Sequence, residues 1–183
     1  MEPRQCWQLW SSALPDQFVD GLIEEIEQNY DVQRASTFEG DTSNHRRSNI
    51  RWIDDNEKVR DCLFNFAIRA AQVFGTHIYR EGDMQYTEYL SSEGGHYAPH
   101  HDILWARNDG FDRKISVTLQ LSDPTEYVGG DFSFTEVENP SPDLVKAKGS
   151  VLCFPSYLVH QVEPVTSGNR KSIVVWFEGP KWR

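Results

Sequence analysis

The chain predicts a mainly-β fold in which two helices come first and back one face of a β-sandwich or barrel. Up to Gly75 the apolar residues recur every three or four positions, and beyond it every second position. Those are the periods of a helix face and of a strand face. No internal repeat, low-complexity tract or linker interrupts the 183 residues. We therefore expect one domain over 1–183, with 1–80 as helical support and 81–183 as the β core.

The first helix opens at Leu14-Pro15-Asp16, where Pro15 suits the first turn and Asp16 the positive end of the helix dipole. Phe18, Val19, Leu22, Ile23 and Ile26 form its apolar stripe. From Asp31 to Asn49 the pattern dissolves into polar residues and glycine, and a loop of that length is more often functional than idle. Ile50 to Ile53 reads as a short strand. Asp54 or Asp55 is expected to cap a second helix, with Val59, Leu63, Phe66, Ala70, Val73 and Phe74 on its buried side. Strands are expected over Met84–Leu90, Ile115–Leu121, Phe132–Phe134, Val151–Phe154, Tyr157–Val162 and Ile173–Phe177.

Composition narrows the function. A hydrophobic content of 38% and an aromatic content of 13% belong to a folded chain. The formal charge of −10 argues against a nucleic-acid partner that needs a basic surface. Small anions stay open, because a buried arginine acts locally. Cys6, Cys62 and Cys153 are odd in number and lack a CxxC spacing, which points to packing cysteines in a reducing compartment. The N-terminus lacks a basic-then-apolar profile and no run of about 18 apolar residues exists. A cytoplasmic protein with no membrane partner is expected.

The chemistry centres on Tyr97–Asp102, YAPHHD. In an extended segment His100 and Asp102 leave the same face and His101 the other. An imidazole beside a carboxylate is two-thirds of a two-histidine, one-carboxylate metal site. His160, in a strand-like run after Phe154-Pro155-Ser156, is the candidate third ligand. Each residue also has an ordinary reading: the HxD as a capped turn, His160 as a hydrogen-bonded core histidine. Arg170 and Ser172 share a strand face, and an arginine directed inward needs an anion because an unpaired buried charge is costly. Its planar fork suits a carboxylate, with Ser172 adding a third bond; the ordinary alternative is a surface arginine beside the Gly168-Asn169 turn. Tyr89, Tyr97, Trp105 and Trp176 are the candidate aromatic lining. A helical zinc pair of His96 and His100 is disfavoured by Pro99 between them and Tyr97 in place of a glutamate. No GxSxG elbow or phosphate loop is present.

These residues together resemble the iron(II)- and 2-oxoglutarate-dependent oxygenases, within them the prolyl 4-hydroxylase-like branch. The resemblance runs through Gln85–Asp102, Arg113–Leu121, Gly129-Gly130-Asp131, Gly149–Val162 and Gly168–Pro180. It implies a double-stranded β-helix, or jelly roll, with the two N-terminal helices packed on one sheet. It implies Fe(II) held by His100, Asp102 and His160, and the far carboxylate of 2-oxoglutarate gripped by Arg170, with Tyr89 and Ser172 nearby. Tyr97, Arg113 and Trp176 stand where such enzymes line the substrate pocket. Where some relatives place a tyrosine against the far carboxylate, this chain offers Leu119 and Gln120. Collagen-type members more often carry lysine where Arg170 stands.

The implied activity is hydroxylation of a C–H bond, foremost prolyl 4-hydroxylation of a peptide or protein. It consumes O2 and releases succinate and CO2, with ascorbate as an accessory reductant. Asp31–Asn49 and Ile103–Asp112 are candidate lids. The rivals are an oxygenase acting on a free amino acid or other small metabolite, and a non-catalytic metal-binding jelly roll. Nucleic-acid demethylation is disfavoured, since Trp176 stands where that group carries a second arginine.

Overall fold

The computed structural model describes residues 4–35 and 44–182. The elements are β1 (Gln8–Trp10), α1 (Asp16–Asn29), β2 (Gln33–Arg34), β3 (Arg46–Arg47), β4 (Asn49–Trp52), α2 (Glu57–Phe74), β5 (Gly82–Leu90), β6 (His96–His100) and β7 (Phe111–Gln120). There follow β8 (Tyr127–Gly129), β9 (Phe132–Phe134), α3 (Pro142–Lys146), β10 (Val151–Pro155), β11 (His160–Val162) and β12 (Val165–Pro180). Among the described residues the strands form a large sheet ordered β1-β10-β7-β12-β5-β4-β2, with β8 paired to β12, and a smaller sheet ordered β3-β6-β11-β9. Among the described residues every strand pairing is antiparallel. This is the expected jelly roll.

The period-two segments sort the large sheet into two faces. Met84 and Tyr86 of β5, Ile115, Val117 and Leu119 of β7, Val151 and Cys153 of β10, and Ile173, Val175 and Phe177 of β12 meet the helices. There they pack against Val19, Leu22 and Ile26 of α1 and Val59, Leu63, Ala67, Ala70 and Ala71 of α2. Many of the alternate residues, which face the small sheet, are polar: Gln85 and Thr87, Ser116 and Gln120, Arg170 and Ser172; Leu152 and Phe154 of β10 pack there with Phe134 and Leu158. Helices on one face therefore leave the other face free to build a site.

Several local expectations change. The second helix is capped by Asn56, whose side chain accepts a hydrogen bond from the Val59 amide, not by Asp54 or Asp55. Asp54 accepts instead from the Met84 amide (2.6 Å) and so ties the helix entry to β5. Val73 is 47% exposed, because Ala67 and Ala71 take the buried stripe nearer the sheet. The segment at Tyr157 is a turn closed by the Leu158 amide on the Pro155 carbonyl, so β11 begins only at His160. β12 runs well beyond Ile173–Phe177 at both ends. Within the expected loop Asp31–Asn49 the chain forms β2 and β3, and residues 36–43 of it lie outside the described residues. No helix among the described residues is long and apolar enough to cross a membrane.

Candidate metal centre

β6 and β11 are neighbours with His100 directly opposite His160. That register brings two imidazoles from distant parts of the chain to a ring separation of 4.3 Å. Asp102 follows the end of β6, held by its amide on the Ser156 carbonyl (2.9 Å). Its Oδ1 lies 3.7 Å from His100 Nε2 and its Oδ2 3.5 Å from His160 Nε2. One ligand atom from each of the three residues lies within 4.8 Å of the others. Asp102 and His160 are buried and His100 nearly so.

The tautomers are fixed by the backbone. His100 Nδ1 faces the Ala98 carbonyl (2.8 Å) and His160 Nδ1 the Leu158 carbonyl (2.9 Å). A carbonyl only accepts, so each Nδ1 carries the proton and each Nε2 presents its lone pair to the centre. Burial, reinforced by His160, holds the His100 pKa down to about 3, so its ring is neutral and ready to ligate at neutral pH. Burial works to raise Asp102, but His160, His100 and the Ser116 hydroxyl outweigh it, leaving the carboxyl below its usual value. Ser116 Oγ donates to Asp102 Oδ2 at 2.6 Å. Two imidazole nitrogens and one oriented carboxylate fit a non-haem Fe(II) ion with open positions.

Arg170, Ser172 and Tyr89 are also assembled together. Arg170 is 5% exposed and sits opposite Tyr89 across the β12–β5 ladder, its guanidinium 5.5 Å from the Tyr89 ring and 3.5 Å from Ser172 Oγ. No carboxylate among the described residues lies in ion-pair range of it. Gly130, at φ 61°, closes this end: a Cβ there would come within 3.0 Å of Arg170 Cδ. Leu119 faces the helices, and Gln120 donates to the Tyr127 hydroxyl (3.1 Å). A tyrosine hydroxyl thus does enter this region, from β8.

At the opposite end of the same face, Arg113 lies over the Trp176 ring (4.1 Å) and pairs with Asp83 (2.6 Å). Arg113 Nε and Trp176 Nε1 are both buried without a hydrogen-bond partner. Tyr97 lies flat on His100, with centroids 3.4 Å apart and planes 11° apart; burial pushes its hydroxyl up to about 12, so it stays protonated. Trp105 does not join the lining. It is 65% exposed and its indole donates to His101, which points away from the metal centre as a residue between two inward neighbours must.

Sequence reasoning missed Ser116, Gln85, Tyr127 and Arg46. Ser116 carried a signal, since it shares the inward period of Thr118 and Gln120 on a strand whose intervening residues Ile115, Val117 and Leu119 are apolar. Arg46 did not, because β3 has only two residues.

The family model for the 2OG-Fe(II) oxygenase superfamily matches residues 84–178. A PKHD-type hydroxylase of Colwellia psychrerythraea strain 34H is 30% identical over 139 residues, covering 72% of this chain and 60% of the relative. The chain spans about half the length of the curated relatives it matches. Among solved structures, a Pseudomonas putida prolyl-4-hydroxylase superposes with a TM-score of 0.70 at 21% identity, covering 94% of this chain and 92% of that one. The viral collagen prolyl hydroxylase of Paramecium Bursaria Chlorella virus-1, in its 2OG complex, does so with 0.67 at 20% identity, covering 96% and 97%.

Proposed function

This chain belongs to the 2OG-Fe(II) oxygenase superfamily, and from that premise we propose that it hydroxylates a prolyl C–H bond in a peptide or protein. The observation that carries the reading is a pair of features on one polar sheet face. A buried arginine without a carboxylate, Arg170, lies at one end, and the Arg113–Trp176 wall with two unpartnered donors at the other. The His100–Asp102–His160 centre lies against this face, tied to it by Ser116.

Each residue has work in this scheme. His100 and His160 offer Nε2 lone pairs and Asp102 the single protein charge to Fe(II). Arg170 would hold the far carboxylate of 2-oxoglutarate, with the Ser172 hydroxyl beside it. When bound, Fe(II), 2-oxoglutarate and O2 supply the oxidant that turns C–H into C–OH, with succinate and CO2 released. Tyr97 shields His100 from water by covering its ring and keeps a neutral hydroxyl at the pocket. Arg113, steadied by Asp83, and Trp176 offer Nε and Nε1 to a peptide carbonyl, fixing which C–H faces the metal.

The test has two steps. Anaerobic addition of iron(II) and 2-oxoglutarate should give a visible charge-transfer band, and Arg170→Ala should weaken 2-oxoglutarate binding by about 100-fold while metal binding persists. A proline-containing peptide library incubated in air with ascorbate should then show one-oxygen mass gains at proline. Gains confined to free amino acids or other metabolites would replace the peptide reading with that one. No band at all would reduce the protein to a metal-binding jelly roll.

A further inference from the structure

Among the described residues three arginines are buried, Arg46, Arg60 and Arg170. Arg60 has Glu57 at 3.6 Å. Arg170 is taken, under the reading above, by 2-oxoglutarate. Arg46 has only neutral company among the described residues. Its Nε donates to Ser48 Oγ (2.8 Å), its Nη2 to Gln85 Oε1 (2.6 Å), and its guanidinium lies 4.5 Å from the Tyr97 ring centre. Thr87 also donates to Gln85 Oε1 (3.2 Å), so that oxygen is held for Arg46 by the sheet. No carboxylate among the described residues stands in ion-pair range of Arg46, and its Nη1 has no partner among them.

The register says where this charge points. Along the inner face of β5, Asp83 lies opposite Trp176, Gln85 opposite Val174, Thr87 opposite Ser172 and Tyr89 opposite Arg170. Arg46, bound to Gln85, is therefore one inward step from Asp83 and Trp176 and two from Tyr89 and Arg170. It also stacks on Tyr97, which covers the metal ligand His100. Charge balance agrees. A divalent ion, Asp102, a keto diacid and Arg170 sum to zero, and Arg113 is offset by Asp83. Among the described residues Arg46 is one positive charge in excess, 7% exposed, on the substrate side, and a largely buried cation without a counter-charge is disfavoured.

We infer that Arg46 is a specificity residue that pairs with a carboxylate carried by the substrate next to the oxidised residue. The protein would then take anionic substrates, unlike a pocket built for neutral proline-rich chains. The inference rests on the peptide reading above. The carboxylate has two sources, a chain terminus at the proline or an acidic side chain following it. A charge-assisted pair of this kind is among the stronger single contacts available.

The test is calorimetry on the full chain loaded with manganese(II) and 2-oxoglutarate, which binds without turnover. Three peptides are compared: one ending in proline with a free carboxylate, the same peptide amidated, and an amidated peptide with aspartate after the proline. The expected result is at least tenfold tighter binding of one anionic peptide than of the neutral one, and the winner identifies the source. Arg46→Gln should abolish that preference while 2-oxoglutarate affinity stays within about twofold. Equal binding of neutral and anionic peptides by the unaltered protein would overturn this inference alone, whatever the variant does. So would a preference that survives in Arg46→Gln. Binding of none of the three with 2-oxoglutarate still bound would overturn the peptide reading and this inference with it.

Discussion

On β12, Ile173, Val175 and Phe177 turn toward the helices, while Arg170, Ser172 and Trp176 turn toward the metal centre. Both sets are hidden from solvent to a similar degree. The first is held by dispersion and the removal of apolar area from water. The second keeps buried charge and unpartnered donors that contribute nothing to folding until something binds. Burial alone therefore does not separate structure from function; the chemistry of what is buried does. The same division runs through β5 and β7, and it places the apolar reserve of the fold on the far side of the sheet from the reacting groups.

That contrast can be broken most severely at the metal. Asp102→Ala should lower iron(II) affinity by more than about 100-fold, beyond the range of outer-shell changes, as measured by metal titration. The metal-free variant should stay folded and melt only slightly lower at pH 7, since the contacts that hold the Asp102 carboxyl below its usual value outweigh the cost of burying it. A large drop in melting temperature would place Asp102 in the structural half of the sheet.

Next in size is the opposite substitution. Phe177→Ala, at a fully buried site on the helix side, should cost about 3–5 kcal/mol in chemical denaturation. The fraction that remains folded should bind metal as before. Loss of metal affinity by the folded fraction would mean that the two faces are coupled through the strand.

A third test uses pH. Folding holds the His100 pKa near 3 against a usual 6.5. The unfolded chain therefore takes up a proton that the folded one refuses as the pH falls below 6.5, and the loss levels off only near 3. Asp102, also lowered, acts with the same sign at the acid end of that window. Stability of the metal-free protein should thus be full above pH 6.5 and fall by a few kcal/mol toward pH 3, with a flatter profile in His100→Asn. A profile unchanged by that substitution would remove His100 as the cause.

The smallest effect sharpens the boundary. Ser116→Ala deletes one hydrogen bond to Asp102 and should weaken metal binding about tenfold with little change in melting temperature. A change in stability without one in metal affinity would count against its orienting role.

Much of this arrangement was legible in the sequence because period and chemistry agree there. The two-residue spacing of His100 and Asp102, and that of Arg170 and Ser172, gave a shared direction by counting, while His160 was reached as the third ligand that an HxD pair needs. The same alternation separated Ile173, Val175 and Phe177 from their polar neighbours. What stayed hidden lacks period. β2 and β3 have two residues each, so nothing marked Arg46 as facing inward. Trp105 sits in irregular chain, where proximity to a motif carries no direction, and it proved exposed. Asn56 displaced the two aspartates as cap because Asp54 is engaged by β5, a contact across 30 positions that local rules do not contain.

β12 carries one further consequence. Its sixteen residues pair with β5 on one edge and with β7 and β8 on the other, and the β7 ladder shifts register only between Phe177 and Glu178. Adding or deleting one residue before that shift would exchange every inward side chain for its outward neighbour, putting Arg170 among the helices and an isoleucine on the face toward the metal centre. Change of length in this protein is therefore confined to its connections, such as residues 103–110.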